Sequence, residues 1–272
     1  MSDQGKFVTA GGIHTHYHES GEGEPLLLIH GSGPGVSAWA NWRLVFPILS
    51  EKYHLYAPDV VGFGYTERPH DISYSVDTWV NHLISFMEAK GLEKVSIIGN
   101  SMGGALALQI AQRRPDLVRK LVLMGSVGIE FPITDELDAV WGYTPSFENM
   151  KNLVATFSSN SSLADNDDLV QLRYQASIQE GFQESYAAMF PAPRQRHVNA
   201  LALTEEKLRK IDCPVLLIHG REDRIIPLEY TSWRISQLIP EAELHVFSQC
   251  GHWTQIEKTK PFTNLVSEFL SR

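Results

Sequence analysis

The chain has 272 residues, 43% of them hydrophobic and 20% charged, with 23 Lys and Arg against 32 Asp and Glu for a net charge of −9. That composition suits a globular chain with a full core and excludes a disordered or fibrous one. The acidic balance repels phosphate backbones, so nucleic acid is not an expected partner, and no apolar run approaches the ~20 residues of a membrane helix.

At about 150 residues per domain, this length allows one or two domains. The opening stretch, MSDQGKFVTAGG, shows no basic region followed by an apolar one, so no secretory leader is expected. Residues 6–20 alternate around Gly11 and Gly12, which predicts an antiparallel hairpin at a sheet edge. Six short apolar runs follow: 25–31 (PLLLIHG), 54–60 (HLYAPDV), 94–100 (KVSIIGN), 120–126 (KLVLMGS), 214–220 (PVLLIHG) and 242–248 (AELHVFS). Nearly continuous apolar runs read as strands buried on both faces, as in a parallel sheet. Helical patterns at 75–90, 104–113, 228–238 and 261–270 separate several of them. The expected fold is therefore α/β, a mostly parallel sheet flanked by helices.

The alternation stops at residues 130–205, which hold only Gly142 and Gly181 of the chain's 20 glycines. Ser146 is a candidate N-cap for a helix at 147–157. The acidic run 165–168 suits the positive N-terminus of a helix at 169–176. Pro191, Pro193 and a helix from Thr204 close the block. It reads as a helical cap inserted into a core made of 1–129 and 206–272. Cys213 and Cys250 are too few for a disulfide framework and are expected to be reduced thiols in a cytoplasm. No metal-finger spacing occurs.

The strongest chemical signal is Gly99-Asn100-Ser101-Met102-Gly103, a G-x-S-x-G between a predicted strand and a predicted helix. That context is what a nucleophile elbow requires; the alternative is a plain strand-to-helix turn. A serine hydroxyl needs a base and an orienting acid, in this fold in the chain order Ser, acid, His. His252 follows the last predicted strand and Asp223 the one before it, where an α/β sheet places its ligands. Either could instead be an ordinary loop residue, and Glu222 is the local rival to Asp223. An oxyanion needs donors. The amide of Met102 is one candidate. The glycine-rich loop 30–35 (HGSGPG) offers Ser32, with Gly33 as the alternative. No Lys-Ser/Thr follows that loop, so it is not a P-loop. His14, His16 and His18 alternate along one strand face. A metal site is one reading, and a solvated edge strand is the simpler one. His30 and His219, each before a glycine at a strand end, read as structural. The cap residues Phe131, Phe147, Met150, Met189 and Phe190 read mostly as core, with a few lining a pocket.

Taken together, the stretches 30–35 (HGSGPG), 39–43 (WANWR), 59–68 (DVVGFGYTER), 99–104 (GNSMGG), 125–128, 188–195 (AAMFPAPRQ), 219–227 (HGREDRIIP) and 249–253 (QCGHW) resemble the α/β-hydrolases of the meta-cleavage product hydrolase family, in the 2-hydroxymuconate-semialdehyde hydrolase branch. The resemblance runs from about residue 6 to the end, cap included. It implies a cofactor-free, serine-dependent hydrolase that cleaves a carbon–carbon bond in 2-hydroxy-6-oxo-hexa-2,4-dienoates from catechol ring fission, with no metal. The products would be 2-hydroxypenta-2,4-dienoate and a carboxylic acid. It implies a triad of Ser101, Asp223 and His252, and an oxyanion hole at Ser32 and Met102. Asn41, Asn100, Arg173 and Trp253 match its substrate-binding positions. His252 would assist dienol-to-keto conversion and then activate Ser101 or a water. A homodimer or larger homo-oligomer is also implied. In the predicted helix 169–176, Leu169, Leu172 and Ala176 share a face to bury, with Arg173 at its border; the plainer reading of Arg173 is a solvated arginine. The rival activities are a carboxylesterase or cofactor-free haloperoxidase with the same triad and, from another class, a silent ligand receptor.

Overall fold

The structure, a computed structural model, describes residues 5–272. The first four residues, part of the stretch read for a leader, lie outside the described residues. Eight strands form one sheet: β1 (Lys6–Ala10), β2 (Ile13–Ser20), β3 (Glu24–Ile29), β4 (Tyr53–Pro58), β5 (Val95–Asn100), β6 (Val118–Met124), β7 (Val215–Gly220) and β8 (Ala242–Phe247). Their order is β1-β2-β4-β3-β5-β6-β7-β8. The first hairpin is antiparallel at one edge, β2 meets β4 antiparallel, and β4 through β8 run parallel. The expected strands and edge hairpin are all present.

The period-two geometry of a strand explains why the inner runs are apolar on both sides, whereas β8, expected to be buried on both faces, is an edge strand and only partly covered. Leu27, Ile29, Ile97, Leu121 and Leu123 face a core closed by the helices Val76–Ala89 and Met102–Arg113. Leu26, Leu28, Ile98, Val122 and Met124 face the opposite core, filled by Trp42, Phe46, Phe262 and Phe269. The chain leaves β3 for β4 on one side and returns to β5 on the other. Loops after β3 and β5 therefore diverge, and a crevice opens at their carboxyl ends.

Seven helices lie between β6 and β7. Phe147–Phe157 has Ser146 as N-cap, its side chain accepting from the Asn149 amide, as the sequence indicates. Asp167–Ser177 is capped by Asn166, with Asp167 and Asp168 in the first turn. Its buried face differs from the expected one. Leu172 is 67% exposed, while Val170 and Ser177 are buried. The helix is thus rotated so that Arg173 faces inward and Leu172 outward. The expected helix at 228–238 is also broken, into Leu228–Tyr230 and Ser232–Leu238. Thr231 between them folds its hydroxyl onto the Pro227 carbonyl (2.7 Å), a local bond that competes with helix propagation.

The solvated histidine face also needs correction. His14 is exposed and stacks on Phe7 at 4.5 Å, but His16 and His18 are buried. β1 covers the sheet edge, so β2 is an inner strand. His16 Nδ1–H donates to Asp59 Oδ2 (2.7 Å), and the His18 ring packs on Trp39 at 5.0 Å. Asp59, just past β4, also accepts from the amides of Ala38 (2.6 Å) and Tyr65 (2.9 Å). This one carboxylate ties β2, the 59–66 loop and the start of the helix Ala38–Trp42 together. Burial alone would raise its pKa; the His16 hydrogen bond, the nearby His30 and His16 charges and the Ala38 amide outweigh that and lower it.

Asp59→Ala removes the acceptor shared by the buried His16 ring and Ala38 amide and the partly buried Tyr65 amide. Breaking such a buried pair costs about 3–5 kcal/mol. Urea denaturation at neutral pH should show that loss. Because the folded-state pKa lies below the ordinary value of 3.8, the ionised form is the stabilised one. Its contribution is complete above about pH 3.8 and is lost as pH falls through the folded value. The gap between wild type and Asp59→Ala should therefore narrow on acidification. Coincident denaturation curves at neutral pH would refute the tie.

Candidate active site

Ser101 follows β5 directly and precedes the helix Met102–Arg113. Its backbone sits at φ 55°, ψ −116°, a left-handed turn that costs a non-glycine residue about 1–3 kcal/mol. The surrounding glycines make that turn possible. A Cβ at Gly103 would collide with the carbonyls of Ile29 and His30, and one at Gly104 with Ser126 Oγ. The Ser101 amide is occupied by Met124 O (2.9 Å). Among the described residues, the amides of Met102 and Ser32 have no acceptor.

Asp223 and His252 lie in the loops after β7 and β8. His252 Nδ1–H donates to Asp223 Oδ2 at 2.7 Å, and both side chains are buried. The other carboxylate oxygen accepts from the amides of Ile225 (2.9 Å) and Ile226 (3.0 Å). Burial alone would raise the Asp223 pKa. The His252 charge and hydrogen bonds from His219 and His252 overcome it and hold the carboxyl well below the usual range. Glu222, the rival acid, turns away: it accepts from the Cys250 amide (3.0 Å) and pairs with Arg221 (2.9 Å).

Ser101 and His252 line one cavity with Gly31, Ser32, Gly33, Asn41, Asn100, Arg173 and Trp253. All ten residues named from the sequence lie at this cavity or pack directly behind it, as Asp223 and Met102 do. A Cβ at Gly31 would stand 3.2 Å from Ser101 Cβ, so the loop after β3 abuts the elbow. Asn100 Nδ2 donates to Met124 O (3.4 Å). Asn41 Nδ2 is buried without an acceptor. The Arg173 guanidinium lies over the Trp253 ring at 4.4 Å. Among the described residues it has no carboxylate partner. Burial, and secondarily the charge of Arg43, lower its pKa to about 10, so it is charged at neutral pH.

Across the cavity, Met150, Leu153, Val154 and Phe157 of the inserted helices supply an apolar wall. Of the expected cap aromatics and methionines, only Met150 lines it. Phe131, Met189 and Phe190 are core, and Phe147 packs partly buried against that core. Several partners escaped sequence reasoning. His219 Nε2 stands 3.3 Å from Asp223 Oδ2, besides bonding Ser232 Oγ and Ile226 O. His30 does behave structurally, donating to Gly31 O and accepting from the Val60 amide. Gly125, at φ 50°, lies beneath the pair; a Cβ there would meet His252 Nδ1 at 3.0 Å. Trp141 Nε1–H donates to Ser32 Oγ (2.9 Å), a contact between segments 109 residues apart that no local pattern reveals.

Comparison with known proteins agrees with this geometry. The family described as alpha/beta hydrolase fold matches residues 24–259. The chain is 54% identical over 267 residues to a 2-hydroxy-6-oxo-2,4-heptadienoate hydrolase of Pseudomonas putida, covering 98% of this chain and 96% of that protein. It is 55% identical over 267 residues to a 2-hydroxymuconate semialdehyde hydrolase of a Pseudomonas species, covering 98% and 94%. Among solved structures, a serine-to-alanine mutant of the meta-cleavage product hydrolase CumD from Pseudomonas fluorescens, complexed with acetates, superposes with a TM-score of 0.97 at 54% identity, covering 98% and 97%. With an elbow serine, a buried acid–histidine pair and this degree of likeness along nearly its whole length, the chain belongs to the alpha/beta hydrolase fold family and, within it, to the meta-cleavage product hydrolases.

Proposed function

We propose that this protein hydrolyses a carbon–carbon bond in 2-hydroxy-6-oxo-hexa-2,4-dienoate-type products of aromatic ring fission, giving 2-hydroxypenta-2,4-dienoate and a carboxylic acid. The observation that carries the reading is the Arg173 guanidinium, without a carboxylate partner among the described residues, in the same cavity as Ser101 and His252. A cation partly withdrawn from water without an anion is costly. A substrate carboxylate supplies the missing partner through charge-assisted, often bidentate, hydrogen bonds. The free amide of Asn41 adds a neutral donor, with Asn100 and Trp253 as the other polar contacts. The apolar wall from the inserted helices receives the opposite end of the substrate.

In this reading Ser101, Asp223 and His252 form the triad. His252 moves protons: it assists the dienol-to-keto conversion, which creates an electron sink, then activates Ser101 or a water toward the C6 carbonyl. Asp223 fixes the imidazole tautomer and stabilises the imidazolium. The amides of Met102 and Ser32 receive the developing oxyanion, with Gly33 as the alternative to Ser32. Residues 130–205 act as the cap over a core of 1–129 and 206–272. The reading carries with it a cytoplasmic location, in keeping with free thiols at Cys213 and Cys250, and a homo-oligomeric assembly.

The decisive measurement is turnover of coloured dienoates bearing hydrogen, methyl, isopropyl or phenyl at C6, beside p-nitrophenyl acetate. Fast ester hydrolysis without dienoate turnover would make the protein a carboxylesterase. Binding of dienoates without turnover would make it a receptor.

Ser101→Ala should abolish dienoate cleavage, by about 10,000-fold or more, with far-UV circular dichroism unchanged. Wild-type turnover in that variant would remove Ser101 from the chemistry.

Asp223→Asn keeps the shape but presents the wrong hydrogen-bonding pattern to His252. Its kcat should fall by up to about 10,000-fold, while Glu222→Gln loses no more than a few-fold. The reverse ranking would shift the acid to Glu222.

Arg173→Ala should lower dienoate kcat/KM roughly 10- to 150-fold, the worth of one charge-assisted hydrogen bond. Lysine should rescue only in part, since it lacks the planar fork. Equal losses on dienoate and neutral ester would mean that Arg173 holds the cap and not the substrate.

A further inference from the structure

Arg173 belongs to two cavities. One contains Ser101 and His252. The other opens on its far side, where Trp39, Arg43, Tyr65, Gln175, Gln179 and Phe182 stand. The second lining holds two cations and no carboxylate, in a chain with 32 acidic against 23 basic residues.

Arg43 follows the helix Ala38–Trp42 and is half-buried. One guanidinium N–H donates to the Ala40 carbonyl at 2.7 Å, which pins the side chain beside its own helix. Its other donors are uncommitted, and among the described residues it has no carboxylate partner. Two partly desolvated like charges repel, and the Arg43 charge is felt at Arg173. Such a pair persists at a cost that an anion between or beside them offsets. A cationic cleft in an otherwise acidic protein also concentrates anionic ligands.

We propose that Arg43 is a second carboxylate station, in the groove behind Arg173, which receives the anionic substrate on its way to Arg173 and the anionic product on its way out. This rests on the dienoate reading of the active site. The ligand is a small organic carboxylate. A carboxylate at Arg43 is handed to Arg173 without crossing an uncompensated apolar wall. The station acts through charge on binding and release and makes no contact with the reacting atoms.

The test uses Arg43→Gln and Arg43→Lys in the full-length protein. The first readout is the ratio of dienoate to p-nitrophenyl acetate kcat/KM. Arg43→Gln should lower that ratio about tenfold, a loss typical of one charged hydrogen bond, expressed in KM and not in kcat. Its dienoate kcat/KM should also depend less steeply on ionic strength. Arg43→Lys should restore most of the loss, because a station needs charge more than a planar fork. An unchanged ratio with an unchanged salt dependence would overturn the proposal. So would equal losses on both substrates, which would reduce Arg43 to a prop for its own helix. The second readout needs no turnover: calorimetric titration with sorbate, a 2,4-dienoate. Arg43→Gln should weaken its Kd about tenfold at low salt. If wild type fails to cleave dienoates, the functional reading falls and this titration alone decides the station; an unchanged Kd then refutes it.

Discussion

The left-handed backbone at Ser101 is the constraint to which the centre of this fold is fitted. A serine at φ 55° is held there only because β5, the following helix and the neighbouring strand ends leave it no alternative. Gly99, Gly103 and Gly104 are the places where helix, strand and loop touch backbone to backbone; a side chain at any of them would meet a main-chain atom or Ser126. The strain lifts the hydroxyl out of the sheet into the crevice that the strand order creates. It also leaves the Met102 amide pointing out of the helix start without an acceptor.

The groups facing Ser101 are held by interactions that are themselves buried. Asp223 is clamped from four directions, by His252, His219 and two amides. A carboxylate so satisfied remains ionised, and an ionised acid fixes one orientation of the imidazole. On the opposite side Asp59 fastens the helix Ala38–Trp42, which carries Asn41 at its inner face and runs on to Arg43. Gln255 donates to the Asn41 carbonyl (3.2 Å), joining that helix to the segment after His252.

The inserted helices are coupled to the histidine loop by more than contact. The His252 amide donates to Phe157 O (2.8 Å), and Glu257 accepts from Gly251 on one side and from Ser159 on the other. The Phe157 ring stacks on Trp253 at 4.7 Å, and Arg173 lies over that same indole. A shift of these helices therefore moves the walls of the pocket and the position of His252 together. Arg68 secures a different part of the inserted helices, lying over Phe182 at 4.1 Å and donating to Ser185 Oγ.

What the amino-acid sequence determined by itself was local in origin. Strand identity followed from nearly continuous apolar runs, and the edge hairpin from alternation around Gly11 and Gly12. The elbow followed from glycines at fixed offsets around Ser101, one N-cap from Ser146, and another helix start from the acids before Leu169. The order Ser101, Asp223, His252 was legible because each lies just past a recognisable strand. Tertiary structure decided the rest, wherever the outcome depended on what covers a face. Asp223 and Glu222 are adjacent and chemically alike; only the direction of the loop after β7 sends one to His252 and the other to the Cys250 amide. Leu172 has the better apolar side chain, yet it is exposed while Val170 and Ser177 are buried and Arg173 lines the cavity of Ser101, because that side of the helix must meet the rest of the fold. His16 has the alternation of an exposed strand and is buried all the same, since Asp59, 43 residues away, turns toward it. Burial and pairing across long separations are set by the packing of whole elements, and no window of neighbouring residues contains them.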